Sequence, residues 1–219
     1  MSTGHVDPQR SDQPRRYDAS LRRRQALDTR HAVINSATTL FSEHGWSVGI
    51  RDIARSAGVS VETVYANFGS KAELLGRVLD IAVVGDEEPV ALARRASFAA
   101  LGSGSATDRV RTAAELNTAV NVRTAGLQRA FREAAVADPD LAVRLQEARN
   151  RQRGDVHEAG AMVAGRPLTQ SETDGLWAVV SVEVFDLLTG SAGWSETDYQ
   201  HWLAGAISRL LGLQGIGTE

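Results

Sequence analysis

Apolar side chains recur at three- and four-residue intervals through Ala32, Val33, Ala37, Leu40 and Phe41, and the stripe stops at Gly45-Trp46. Such spacing lines one face of an α-helix, so a helix is predicted over residues 30–43, closed by a C-terminal glycine. Ile50, Ile53, Ala54 and Ala57 form a shorter second stripe. Gly58 interrupts it, supplying the left-handed conformation that other residues adopt only at a cost. Ser60 then offers a hydroxyl to an unpaired backbone N–H, the usual N-cap chemistry, so a third helix starts at Val61. Within it Val64 and Phe68, four apart, face inward with Val59, leaving Val61, Glu62, Thr63, Ala66 and Asn67 outward. Ser70 to Glu73 reads as a capping box. It opens a fourth helix striped by Leu74, Leu75, Val78, Leu79, Ala82 and Val83.

The stretch from Ile50 to Phe68 therefore reads as helix, forced turn, helix. An eight-residue helix is about 12 Å long, matching the roughly 12 Å width of the DNA major groove. Ala54 suits a close crossing of the two helices. On these residues alone two readings stand: a DNA-reading helix-turn-helix, or the same punctuation inside an ordinary helical core.

The assembled pattern, LFSEHGW and then IRDIARSAGVSVETVYANFGSKAELL, resembles the N-terminal domain of the TetR family of ligand-responsive transcriptional repressors. The resemblance covers residues 32–84, and the run IAxxAGVSxxTVYxxFxSKxxLL makes it specific. It implies an all-α fold: a three-helix reading head with a helix-turn-helix, linked by the fourth helix to a larger helical domain for ligand binding and dimerisation. It also implies roles. Arg51 reads a base, since a guanidinium can bond guanine O6 and N7 together. Val61 and Glu62 point at base edges from the start of the reading helix, and Ser60 joins the DNA-facing set at its cap. Thr63, Tyr65, Asn67 and Lys71 bond phosphates. The sequence departs from the family where a threonine usually precedes the second helix: Val48-Gly49 stands there, and residues 45–53 are one residue short. The cap of that helix then falls to Ser47 or Gly49.

Beyond Val84, Gly85 to Pro89 breaks the fourth helix. This divides the chain into an arm over 1–26, a DNA-binding domain over 27–84 and a helical regulatory and dimerisation domain over 85–219. One or two short helices precede the Gly102 to Ser105 linker, and helical spacing runs over 106–137. Asp138-Pro139 pairs an N-cap with proline at the first helical position, starting a polar helix. Thr169 to Glu172 is a second capping box, opening the most apolar helix, through Leu176, Trp177, Val180, Val184 and Leu188. Ser195 starts the last helix, striped by Trp202, Leu203, Ala206, Ile207, Leu210 and Leu211. These two helices either complete their own subunit's core or, as the resemblance implies, pair with their copies in a homodimer. The resemblance further implies a cavity for a small-molecule effector. Asn117 and Asn121, one turn apart, with Phe131 and Trp177, are its candidate wall residues.

Composition narrows the alternatives. The 219 residues are 42% apolar, ample for a core, and hold no cysteine, which excludes disulfides and thiolate metal sites. No apolar run is long enough to span a bilayer, so a cytoplasmic protein is expected. The five histidines show no metal-ligand spacing, and no nucleophile elbow or dinucleotide fingerprint occurs. An enzyme is not expected, nor a cofactor. The formal charge of -3 is unlike a DNA binder's basic footprint. Its distribution is uneven: eleven basic against nine acidic side chains up to Asp80, then 13 against 18. Seven arginines fall in the first thirty positions, with a triplet at Arg22 to Arg24. The arm over 1–26, poor in apolar residues, reads as disordered, and either contributes counterion release on DNA or is a solvated tail. A rival class is a helical adaptor that binds another protein through its last helices and needs no DNA.

Overall fold

A computed structural model describes residues 13–86, 88 and 91–213, with side chains from Leu21 onward. The described residues form helices, turns and loops, in agreement with the all-α expectation. The helices are α1 (Gln13–His44), α2 (Ile50–Ala57), α3 (Val61–Phe68), α4 (Lys71–Val84), the single turn α5 (Ala96–Ala99), α6 (Ala106–Ala137), α7 (Pro139–Ala164), α8 (Gln170–Val179), the short α9 (Val182–Phe185) and α10 (Glu196–Leu210). A 3-10 turn at Gly45–Ser47 precedes α2, and α9 runs on into a π-helical turn, Asp186–Ser191.

Two apolar cores form. In the first, Val33, Ala37 and Phe41 of α1 meet Ile53 and Ala54 of α2, Val64 and Phe68 of α3, and Leu74, Leu75 and Val78 of α4. Leu127, Ala130, Phe131 and Ala134 from the second half of α6 complete it, with Leu141 of α7. The second core gathers Phe98, Leu101, Val110, Val163, Leu176, Phe185, Tyr199, Leu203 and Ile207 from the remaining helices and the first half of α6. Gly85, at φ 99°, does end α4. Packing nevertheless crosses that point, because short helices cannot cover their own apolar faces and α6, about 48 Å long, serves both cores. Where α1 crosses α6 the backbones nearly touch: a Cβ at Gly126 would stand 2.6 Å from Ser42 Cα.

Three expectations change and one open alternative closes. Helix α1 begins at Gln13, so residues 13–26 are helical and not disordered; residues 1–12 lie outside the described set. Its exposed section, residues 21–28, is rich in Arg, Gln, Ala and Leu, good helix formers that need only propagate a helix nucleated in the core. Ser70 caps α4 by accepting from Glu73 N at 3.1 Å, but the Glu73 carboxylate accepts from Arg144 of α7 at 2.6 Å, so only half of the box is made. The apolar helix expected to run unbroken from residue 169 stops at Val179. Ser181 recaps the chain, its hydroxyl accepting from Val184 N at 3.3 Å, because serine offers the backbone a local alternative within a β-branched run of low helix propensity. Finally, α2 is capped by Gly49 without a side chain, while Ser47 donates to His44 O at 3.0 Å.

The box at Thr169 is complete and carries a testable charge. Arg166 first, then the Thr169 backbone N–H and hydroxyl, holds the Glu172 carboxyl down to about 2. A folded-state value below the unfolded one contributes stability above the unfolded value, lost as pH falls through the folded one. Melting curves of the parent and Glu172→Gln should therefore differ at neutral pH and converge between about pH 4.5 and 2. A gap independent of pH over that window would assign the effect to shape alone.

Candidate nucleic-acid interface

The turn between α2 and α3 is held as its residues dictate. Gly58 sits at φ 68°, ψ 30°, and Val59 N donates back to Ala54 O at 3.0 Å. Ser60 Oγ accepts from Thr63 N at 3.2 Å, capping α3. Val64 and Phe68 are buried, which turns the opposite side of α3 to solvent, with Tyr65 48% exposed. Glu62, Ala66 and Asn67 are exposed, and Val61 and Thr63 are half-buried.

An open cleft of about 600 Å³ lies between α2 and α3 and brings Arg51, Val61, Tyr65 and Lys71 together. Gly49, Ile50, Asp52 and Arg55 line it too. Arg51 is exposed, and neighbouring Arg55 donates to Asp52 at 3.0 Å. Ser60, Glu62, Thr63 and Asn67 are not part of the cleft lining. Ser60 Oγ and Thr63 Oγ1 are 3.1 Å apart, and the Asn67 amide donates to Thr63 O at 2.8 Å, which leaves one amide hydrogen for a phosphate. The Glu62 carboxyl is held below the ordinary range by its own backbone N–H and the Ser60 hydroxyl. It thus stays ionised beside the reading surface.

Lys71 is tied down more than its sequence position suggests. Its ammonium donates to the Trp46 carbonyl and lies 3.9 Å from the centre of the Trp46 ring. Burial pushes its pKa down from the ordinary lysine value. Two of its three hydrogens remain for a ligand.

Residues that the sequence did not single out join this head to α6 and α7. Trp46 N donates to Glu133 Oε2 of α6 at 2.7 Å, and Arg123 Nε of α6 donates to Ala82 O of α4 at 2.9 Å. With the Glu73–Arg144 pair these are polar ties between segments far apart in the chain, so no local pattern announces them. Arg55 of the cleft is likewise absent from the sequence reading, although its place four residues after Arg51 on one face of α2 is a signal that finds it.

The four candidate effector residues separate. Asn117 and Asn121 both donate to Val180 O at 3.2 Å, the carbonyl freed by the break after α8. Asn121 also donates to Tyr199 OH at 3.2 Å, and that hydroxyl donates to Asn117 Oδ1 at 3.3 Å. Burial pushes the Tyr199 phenol up to about 12, so it stays protonated. Trp177 Nε1 donates to Gln152 Oε1 at 3.3 Å. Phe131 does not belong with them: it is buried in the first core, because the second half of α6 faces the reading head. Among the described residues no group of three acidic, histidine or cysteine side chains could hold a metal ion, and no helix is long and apolar enough to cross a membrane.

Residues 33–78 match the sequence profile of the bacterial regulatory proteins of the tetR family. The reading head belongs to the TetR family. No curated protein matches the chain. Among solved structures, a transcriptional regulator from Rhodococcus sp. Rha1 is 19% identical, with a TM-score of 0.59 over 86% of this chain and 98% of that one. A Rhodococcus sp. protein assigned to the TetR-family transcriptional regulators is 22% identical, with a TM-score of 0.63 over 84% and 99%. A TetR-like transcriptional regulator from Rhodococcus sp. RHA1 is 18% identical, with a TM-score of 0.57 over 85% and 96%. At these identities the likeness is one of fold, and it carries the TetR architecture through the C-terminal helices. With a TetR-family head on a TetR-like fold, the chain is a DNA-binding transcriptional regulator and not an enzyme.

Proposed function

We propose that the protein is a repressor that binds a palindromic operator as a homodimer and is released by a small-molecule effector. The observation that supports this most is the cleft that gathers Arg51, Val61, Tyr65 and Lys71 beside the exposed face of α3. In this reading Arg51 bonds a guanine edge, and Val61 and Glu62 face neighbouring bases. Ser60, Thr63, Tyr65, Asn67 and Lys71 hold the phosphates that fix the register. Two such heads read half-sites about 34 Å apart. The segment from α8 to α10 forms the dimer interface, with Leu187, 60% exposed, and Trp194 available to a second copy. The effector binds in the C-terminal helices near Asn117, Asn121 and Trp177, and acts by its different affinity for two head spacings. The protein works in the cytoplasm, where its DNA is. Residues 1–26, 27–84 and 85–219 serve as arm, reading domain and regulatory domain.

A mobility shift on the DNA upstream of its own gene tests the reading. A sequence-specific complex that weakens with salt is expected. A helical adaptor would give none. Arg51→Ala should lose about 1–3 kcal/mol on the operator and relax preference at one base pair. An equal loss on operator and unrelated DNA would make Arg51 a phosphate contact instead.

A further inference from the structure

The reading unit itself carries no excess positive charge. From Ile50 to Phe68 the charged side chains are Arg51 and Arg55 against Asp52 and Glu62, and Arg55 is already paired with Asp52. Binding to a duplex is driven largely by cations that replace condensed counterions, so the positive surface has to lie elsewhere in the head.

Helix α1 supplies it. The guanidinium of Arg30 stands 4.9 Å from the centre of the Phe68 ring, at the last residue of α3, which fixes the face of α1 turned toward the reading helix. Arg23 is seven residues earlier, so it lies on nearly the same face, within about 20°, and about 10 Å further along the axis. Arg22 and Arg24 flank it by about 100° on either side. The one acidic side chain between residues 21 and 31, Asp28, lies roughly 140° from Arg23 but only about 40° from Arg24, its i,i+4 neighbour, so within the triplet Arg22 and Arg23 are the arginines farthest from it. Residues 21–28 are all exposed. The helix thus leaves the packed head beside the C-terminal end of α3, with Arg23 on the face that Arg30 turns toward α3 and Arg22 and Arg24 to either side of it.

We propose that residues 22–24 of α1 are a second DNA-binding surface, a helical rod whose arginines contact backbone phosphates next to the stretch that α3 reads. A helical rod holds its charges in place before binding, unlike a tail that must be ordered at the moment of contact. The surface is independent of base sequence, and it rests on the chain being a DNA-binding regulator.

The test compares the full-length parent with a triple variant, Arg22→Ala, Arg23→Ala and Arg24→Ala, on a mixed-sequence duplex and on the duplex upstream of its own gene over a range of salt. The expected result is an equal fold loss on both duplexes, with the slope of log affinity against log salt shallower by about 2 to 3 per bound protomer, at about 0.9 per phosphate contact. The melting temperature should not move, since these side chains are exposed. Replacing the same three arginines by lysine should keep the parent's slope. An unchanged slope in the alanine variant overturns the proposal, and so does a lysine variant that behaves like the alanine one, which would mark a contact needing guanidinium geometry. A parent that binds neither duplex would remove the DNA-binding reading itself, an outcome distinct from a parent that binds and a variant that binds equally well.

Discussion

Gly126→Ala should destabilise the protein by about 1–3 kcal/mol or more, whereas the same replacement at Gly154 should stabilise it by about 0.5–1 kcal/mol. Both glycines lie inside helices, where alanine is the better helix former. What separates them is space. At Gly154, in exposed α7, a new Cβ meets nothing within 4 Å. At Gly126 it would stand 2.6 Å from Ser42 Cα and 2.7 Å from Ser42 O, so backbone and not a flexible side chain must move. Thermal melts report both signs, at about 2–4 °C per kcal/mol for a chain of this size. Equal stabilisation by the two substitutions would mean that α1 and α6 do not cross in contact. Because α1 carries the reading head and α6 spans both cores, a wedge there also tilts the head. DNA affinity of the variant, measured well below its melting temperature, should fall further than the unfolded fraction explains.

The reading head was legible because each of its decisive residues acts locally. Gly58 and Ser60 fix the turn and cap through their own backbone and side chain, and Val64 and Phe68 show their burial by spacing alone. The rest failed where the deciding partner is distant. Polar composition made residues 13–26 look unfolded, although the helix there needs no burial of its own, only continuity with the buried Val33 and Phe41. Phe131 was grouped by position with Asn117 and Asn121, yet one 32-residue helix faces two cores in turn. Lys71 reads as a phosphate contact, and nothing near it in the chain shows that it is also held against the Trp46 ring and carbonyl. The apolar periodicity from Leu176 to Leu188 hid the break at Val180, because spacing records which face is apolar and not whether the backbone bonds continue. The asparagines of α6, expected beside a ligand, also bond that broken backbone.

This last arrangement gives the second large effect, at Asn121. Its side chain is 2% exposed, and a single amide nitrogen is shared among Val180 O, Asn117 Oδ1 and Tyr199 OH. Asn121→Ala removes a donor but leaves Asn117 to serve the Val180 carbonyl, so a loss of about 1–3 kcal/mol is expected. Asn121→Asp is nearly the same size and should be worse, about 3–5 kcal/mol at neutral pH. It sets an acceptor against the two acceptors Val180 O and Asn117 Oδ1, and it buries a charge with no cation beside it. The sign of the pH dependence follows. Burial raises the folded-state value of the new carboxyl above its unfolded value of about 3.9. The variant is therefore closest to the parent below about pH 3.9 and loses ground as pH rises through the folded value. Denaturant midpoints of parent, Asn121→Ala and Asn121→Asp at acid and neutral pH resolve the three cases. If the two variants match and neither gap moves with pH, the asparagines do not hold the break between α8 and α9. If Asn121→Asp alone weakens with rising pH, the freed Val180 carbonyl is what joins α6 to α8 and α10.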